Sequence, residues 1–305
     1  MAGVNIVVLG AGAIGSTYGY QLSAHHDVTL VGTSAHVQAI REHGLRIEGA
    51  IRSGTFPMKA VTSLEAIEPG TLIILTTKVS GSVEAVAPIV PLLSPSVTIL
   101  CVQNGLYSER LVRDLVGDRA VTLRAITQVG GILRGPGVVE HTVAGYTLVE
   151  SHERAASVAA LLTQSGLDGR VTPDMKLAMW RKTVFNCVIN PITAITGSTV
   201  GGIVDPGLAP IKRLVIDECL AVAAADGVTF DEDFMELIDR VFASAATVAS
   251  TLQDLQKGRR TEIDYLNGAV VALGADYGIA CPVNAALTTI IKQLETRASA
   301  VEGPS

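Results

Sequence analysis

The sequence predicts an α/β domain followed by an all-α domain, and three observations carry that prediction. A glycine-punctuated turn lies between a strand-like run and a helical segment near the start of the chain. Strand-like and helical segments then alternate through the first half. Beyond about residue 169 the pattern becomes helical, rich in alanine and poor in β-branched alternation, so one domain is expected over 1–169 and another over 170–305. A length of 305 residues also exceeds the size at which single cores usually stop growing.

Residues 4–9 are mostly apolar and bounded by glycine, as a parallel strand buried on both faces requires. A helix over about 13–24, a strand over 28–31 and a helix over about 34–43 follow, with Gly44 where a helix end favours glycine. Residues 45–61 alternate in strand fashion around Gly49 and Gly54, and 71–76 predicts another buried strand. Residues 83–93 predict a short helix that Pro88 and Pro91 weaken. A strand over 97–102 ends in Gln103-Asn104-Gly105, and 121–149 has strand character broken at Gly130-Gly131 and Gly135-Pro136-Gly137. In the second half Pro173 stands near the start of a long amphipathic helix, and others are expected over about 207–225, 231–254, 262–277 and 283–298. Residues 302–305 read as a loose tail, and no internal repeat is present.

Composition excludes several functions. A net charge of −6 with no basic run opposes nucleic-acid binding, which needs clustered cations to release counterions. Cys101, Cys187, Cys219 and Cys281 are far apart in sequence and form no CxxC pair, so neither a metal site nor a disulfide framework is signalled and a cytoplasmic location is expected. The first charged side chain is Asp27, yet the opening stretch lacks a basic start and carries four glycines, Gly10, Gly12, Gly15 and Gly19, so neither a signal peptide nor a membrane span is expected. Charged residues are only 17%, which predicts surface buried between domains or subunits and hence an oligomer.

The turn Gly10-Ala11-Gly12-Ala13-Ile14-Gly15 is G-x-G-x-x-G set directly after a predicted strand and opening a predicted helix. That context predicts a Rossmann-type unit that grips a dinucleotide pyrophosphate on a helix N-terminus, with Gly10, Gly12, Ala13, Ile14 and Gly15 as cofactor residues. A turn that merely needs glycines would not require strand, turn, helix and strand in that order. The second strand ends in Gly32-Thr33-Ser34, where a carboxylate would bind a ribose 2′-hydroxyl. None is present, and Thr33 and Ser34 could donate to a 2′-phosphate, so NADP is expected and NAD is the alternative. The competing role for Ser34 is as N-cap of the next helix.

In the helical half, Lys182, Asn186 and Asn190 are spaced four apart, which places them on nearly one helix face. Two asparagines amid Val184, Phe185, Val188 and Ile189 are poor helix formers, and a solvated face would favour Glu and Lys instead. Farther on lie Ser250 and the run Thr261-Glu262-Ile263-Asp264-Tyr265-Leu266-Asn267-Gly268.

Together with Lys78 after a strand, Gln103-Asn104-Gly105, Pro136-Gly137-x-Val139-x-His141 and Pro282-x-Asn284, these motifs resemble the ketopantoate reductase (2-dehydropantoate 2-reductase) family, in order from about residue 5 to residue 290. The resemblance implies NADPH-dependent reduction of ketopantoate to D-pantoate by hydride transfer to the 2-keto carbon, in pantothenate biosynthesis, by a homodimer. It implies Lys182 as general acid with Glu262 at the catalytic centre. Asn186, Asn190 and Ser250 would bind substrate, Asn104 would sit beside both nicotinamide and substrate, and Lys78 would lie near the adenosine phosphate.

Hydride transfer to a keto carbon develops negative charge on its oxygen, which an ammonium can stabilise and protonate. Desolvation would lower the lysine pKa towards working pH, and a nearby Glu262 would oppose that fall. The sequence departs from the family at Thr33, where an arginine is common, and at Thr247 and Ala249, where an asparagine and a serine are common. An NAD-dependent D-2-hydroxyacid dehydrogenase of the same family is therefore the alternative. A non-catalytic dinucleotide sensor is the alternative from another class, though a sensor needs none of Lys182, Asn186 and Glu262.

Overall fold

The computed structural model describes residues 3–49 and 51–301; the tail expected at 302–305 lies outside them. Two compact units are present. The first holds the described residues up to Gln103 together with Tyr107–Met175, and the second holds Asn104–Leu106 and the chain from Lys176 onward.

The first unit begins β1 (Asn5–Leu9), α1 (Ala13–Leu22), β2 (Asp27–Val31), α2 (Ser34–His43), β3 (Leu45–Glu48), β4 (Gly54–Phe56), β5 (Lys59–Val61) and β6 (Leu72–Leu75). It continues α3 (Ser82–Val86), β7 (Thr98–Cys101), α4 (Ser108–Val116), β8 (Val121–Thr127), β9 (Gly130–Gly135), β10 (Val138–Val143), β11 (Thr147–Glu150), α5 (Ala155–Gln164) and β12 (Gly169–Thr172). The main sheet has the order β12-β11-β8-β7-β6-β1-β2-β5. Its β5-β2-β1-β6-β7-β8 portion is parallel throughout, in the order of doubly wound dinucleotide-binding sheets. Then β11 joins antiparallel to β8, and β12 pairs parallel with β11.

Alternation along the strands explains their continuous apolarity. Ile6 and Val8 enter one core with Tyr18, Leu22 and Leu162, whereas Val7 and Leu9 enter another with Val86, Val112 and Val116. A second sheet, β4-β3-β10-β9, packs on α1, where Gly131 approaches Thr17 and the Ala13 carbonyl.

Several expectations are corrected here. The stretch 45–61 forms three short strands in two sheets, because β5 extends the main sheet beside β2 while β3 and β4 pair with each other. The boundary expected at residue 169 falls early, since Gly169–Thr172 still pairs with β11 and the first unit ends at Met175. Residues 83–93 split into α3 and a 3-10 turn, Ala87–Leu92, that accommodates both prolines. Helices α4 and α5 have no counterpart in the sequence reading.

The second unit contains α6 (Met175–Thr196), α7 (Ala209–Ala225), α8 (Phe234–Phe242), α9 (Ser250–Gln256), α10 (Asn267–Asp276) and α11 (Pro282–Val301). The helix expected over 231–254 is broken between α8 and α9. Val200 donates to the Thr247 carbonyl and Gly201 to the Ala245 carbonyl, so tertiary backbone bonds replace helical ones there. The helix expected over 262–277 begins instead with a 3-10 turn, Ile263–Tyr265, before α10. The fully buried Trp180 anchors α6 by donating from Nε1 to Asp226, 2.8 Å away. Among the described residues no helix is long and apolar enough to cross a membrane, and no His, Cys, Asp or Glu cluster could hold a metal ion.

Candidate active site

Strand register gathers the predicted cofactor residues of the first unit on one edge of the main sheet. Leu9 pairs with Val31 on one side and with Leu75 on the other, so the Gly10–Gly15 turn, the Thr33-Ser34 pair and Lys78 all follow strand ends at that edge. The strand order reverses between β1 and β6, the switch point where open α/β sheets take ligands.

The three glycines have different physical reasons. Gly10 has φ +110°, and a Cβ there would lie 2.6 Å from the Thr77 nitrogen. At Gly15 a Cβ would stand 2.2 Å from the Gly10 carbonyl oxygen and 2.6 Å from Thr76 Oγ1, so this glycine allows α1 to pack on β1. A Cβ at Gly12 would meet nothing within 4 Å. The open space there adjoins the N-terminus of α1, whose first-turn N–H groups at Ala13, Ile14 and Gly15 have no intrahelical acceptors. A dinucleotide pyrophosphate fits both features, filling the space and taking those donors.

Gly12→Ala is therefore expected to fold normally, since φ −77° suits alanine, and to weaken nicotinamide dinucleotide binding about tenfold or more. Cofactor titration by fluorescence checks this. Undiminished affinity would remove the turn from the cofactor site.

At the second strand end, Thr33 rather than Ser34 is the N-cap of α2, and its side chain makes no capping hydrogen bond. Ser34 is thus the first helical residue, which removes the capping role considered for it; both residues are exposed. Lys78 is half-buried beyond β6 at the start of a 3-10 turn.

Polar side chains to which the sequence alone assigned no role brace this edge. Gln103 Nε2 donates to the Thr77 carbonyl (2.8 Å) and to Ser82 Oγ (2.7 Å), fixing the backbone against which Gly10 packs. Arg124, only 3% exposed, donates from Nη1 to the carbonyls of Gln103 (2.6 Å) and Cys101 (3.2 Å) and pairs with the buried Glu109 carboxylate at 3.4 Å. The buried His36 accepts the Gly137 N–H at Nδ1 (2.9 Å), so Nε2 carries the proton towards Ser16 Oγ (3.1 Å), which in turn donates to the Ala11 carbonyl. Burial lowers the His36 pKa, favouring the neutral ring this relay needs. Ser16 directly follows the glycine fingerprint, but His36 lies 20 positions farther on in α2, so no local sequence signal marks this relay.

In the second unit the structure brings Asn104 to Glu262. Asn104 Nδ2 donates to Glu262 Oε2 at 3.4 Å, across 158 positions of sequence. The approach is set by backbone: Leu106 N–H donates to the Tyr265 carbonyl (3.2 Å), and Gly105, at φ +96°, has no room for a Cβ against that same carbonyl. Glu262 itself caps the 3-10 turn Ile263–Tyr265, which Tyr265 closes by donating to the Glu262 carbonyl.

Lys182, Asn186 and Asn190 lie on α6 at helical four-residue spacing; Lys182 and Asn186 are half-buried and Asn190 is 6% exposed. Ser250 is exposed in the first turn of α9, with Ala249 as its N-cap. Helix α6 is held by Phe185, which packs edge-to-face on Phe234 and Phe242 at 5.6 Å each.

The cysteines, separate in sequence, are not all separate in space: Cys187 and Cys219 are hydrogen-bonded neighbours. Both are buried and free, and burial pushes the Cys187 thiol well up, so that thiol stays protonated.

Comparison with known proteins gives one consistent family. A model described as "Ketopantoate reductase PanE/ApbA" matches residues 6–154, and one described as "Ketopantoate reductase PanE/ApbA C terminal" matches residues 174–295. A 2-dehydropantoate 2-reductase of Pyrococcus horikoshii is 34% identical over 301 residues, covering 96% of this chain and 98% of the relative. A crystal structure of a PanE/ApbA family ketopantoate reductase from Ralstonia eutropha JMP134 superposes with a TM-score of 0.90 at 32% identity, covering 97% of this chain and 99% of that one. A ternary structure of D-mandelate dehydrogenase with NADH and anilino(oxo)acetate gives a TM-score of 0.89 at 26% identity, with the same two coverages of 97% and 99%.

Proposed function

The chain belongs to the ketopantoate reductase family, and from that premise we propose that it reduces ketopantoate to D-pantoate with NADPH as hydride donor. Membership makes it a nicotinamide-dependent 2-keto acid reductase; the substrate and the choice of NADPH are our reading. The observation that carries it is the Asn104–Glu262 hydrogen bond, which joins two residues expected at the substrate into one cluster of the helical unit.

A bound nicotinamide dinucleotide supplies the hydride. The chain contributes the rest. The Gly10–Gly15 turn and the first-turn N–H groups of α1 hold the pyrophosphate. Lys182, as an ammonium, donates a hydrogen bond to the keto oxygen as charge develops and then gives it a proton, leaving a neutral amine that solvent reprotonates. Asn104, Asn186, Asn190 and Ser250 orient the substrate through its polar groups, and Glu262, which accepts a hydrogen bond from Asn104, takes the substrate's single hydroxyl as donor. NADPH is favoured because the turn after β2 and the first turn of α2 hold no carboxylate to repel a 2′-phosphate, and the Thr33 hydroxyl is not used in capping.

A second reading, an NADH-dependent dehydrogenase of another D-2-hydroxy acid, is favoured by two observations. Thr33 offers no cation to a 2′-phosphate, and the likeness to D-mandelate dehydrogenase with NADH spans 97% of the chain. An absorbance assay crossing NADPH and NADH with ketopantoate, pyruvate, 2-ketoisovalerate and phenylglyoxylate separates the two. We expect kcat/KM for ketopantoate with NADPH to exceed every other combination about tenfold or more, a difference of about 1.4 kcal/mol in transition-state stabilisation. Higher kcat/KM with NADH and phenylglyoxylate would establish the second reading instead.

A further inference from the structure

Helix α6 contains a proline at its centre of chemical interest. Pro191 follows Asn190 directly and has no N–H, so the Cys187 carbonyl, four residues earlier, is denied its helical donor, and the proline ring crowds that oxygen outward. A buried carbonyl without a donor is costly. The structure supplies one from outside the helix: Asn267 Nδ2, at 2.9 Å, from a side chain with 0% exposure at the start of α10.

The orientation of that amide is enforced by a relay. Glu218 on α7 can only accept, and it takes the N–H groups of Val283 and Asn284 in the first turn of α11, together with Asn284 Nδ2 at 2.7 Å. Asn284 must then present Oδ1 to Asn267, which donates to it at 2.9 Å. Both Nδ2 hydrogens of Asn267 are thereby committed, one to Asn284 and one to Cys187, while its Oδ1 has no hydrogen-bond partner among the described residues.

The two ends of this contact are the two parts of the site in this unit. Cys187 lies between Asn186 and Asn190, and Asn267 follows the 3-10 turn headed by Glu262. We propose that Asn267 is a positioning residue, whose amide holds the carbonyl released by Pro191 and so sets the Asn186–Asn190 stretch of α6 in register with the Glu262 turn. The inference rests on the substrate role proposed above for those residues.

A double-mutant cycle tests it. Asn267→Leu removes the amide at similar volume and is expected to lower kcat/KM for the keto acid by about tenfold to a hundredfold, the scale of a displacement of about 1 Å, with cofactor affinity held within about twofold. Pro191→Ala restores an N–H for Cys187, and in that background the same Asn267→Leu change is expected to cost less than about threefold. Equal losses in both backgrounds would overturn the proposal, as would a folded Asn267→Leu protein with unchanged kcat/KM.

Amide hydrogen exchange over residues 183–192 runs beside the kinetics and needs no turnover. Asn267→Leu should speed exchange there, and much less so when combined with Pro191→Ala; additive effects would overturn the proposal. If the wild-type protein reduces none of the keto acids, the functional reading fails and the exchange cycle still decides this one. Should Asn267→Leu alone not fold, the double variant is expected to recover folding, and its failure to do so counts against the proposal.

Discussion

Replacing Lys182 by alanine is expected to lower kcat for keto-acid reduction by about 10²–10⁴-fold, the usual contribution of a positioned proton donor. Cofactor affinity should stay within about twofold, because the glycine turn that holds the pyrophosphate belongs to the sheet unit and Lys182 to α6. Two companions make the result specific to proton transfer. Lys182→Arg retains a cation, but a guanidinium does not release its proton in a protein, so activity should remain at least about tenfold below wild type. Small primary amines added to Lys182→Ala should restore part of the lost rate. A Lys182→Ala enzyme within about threefold of wild-type kcat would end the assignment of the general acid, and a rise in KM alone would reduce Lys182 to a binding residue.

The sheet unit was largely legible because its signals are local. Residues 6–9 alternate between two cores, so each of those positions is apolar, and the glycines at 10, 12 and 15 answer to a turn, an open space and a close packing within six residues of one another. What stayed hidden depends on distant partners. Val138 pairs with Arg46, which makes β10 part of a second sheet that no local pattern encodes. Helix α4 buries the charged Glu109 on the same stripe as Val112 and Val116, at i, i+3, i+7 spacing, so its core-facing side is not marked by apolar residues alone.

The break between α8 and α9 exists because residues 200 and 201 capture the carbonyls of Thr247 and Ala245, a tertiary effect overriding alanine-rich helix propensity. The same division holds at the site. Four-residue spacing displayed the Lys182-Asn186-Asn190 face, whereas the meeting of Asn104 with Glu262 followed only from family resemblance. Asn267 was visible as part of the Asn-Gly motif, yet its purpose emerges only when Pro191 is seen to deprive Cys187 of a donor.

Arg124→Met is expected to be the most destabilising of the changes considered, at about 3–5 kcal/mol, because it strips a buried charge of its partner rather than merely removing a contact. The side chains of Arg124 and Glu109 are 3% and 6% exposed and lie 3.4 Å apart, and Arg113 reaches the other Glu109 oxygen only at 3.8 Å. Removing the guanidinium leaves the Glu109 carboxylate with that longer contact alone. It also takes the donor from the Cys101 and Gln103 carbonyls, which end the strand leading to Asn104.

Thermal unfolding should register a fall of roughly 10 °C, from about 2–4 °C per kcal/mol for a unit of this size. Adding Glu109→Gln should recover a substantial part of it, since the stranded charge is gone, with a coupling of about 1–3 kcal/mol between the two changes. The carbonyl donors remain missing in the double variant. Its KM for keto acid should therefore stay raised while its stability returns, which separates Arg124's hold on the Gln103-Asn104 backbone from its pairing with Glu109. An Arg124→Met protein as stable as wild type, or a double variant no more stable than the single one, would show that Glu109 does not depend on this guanidinium.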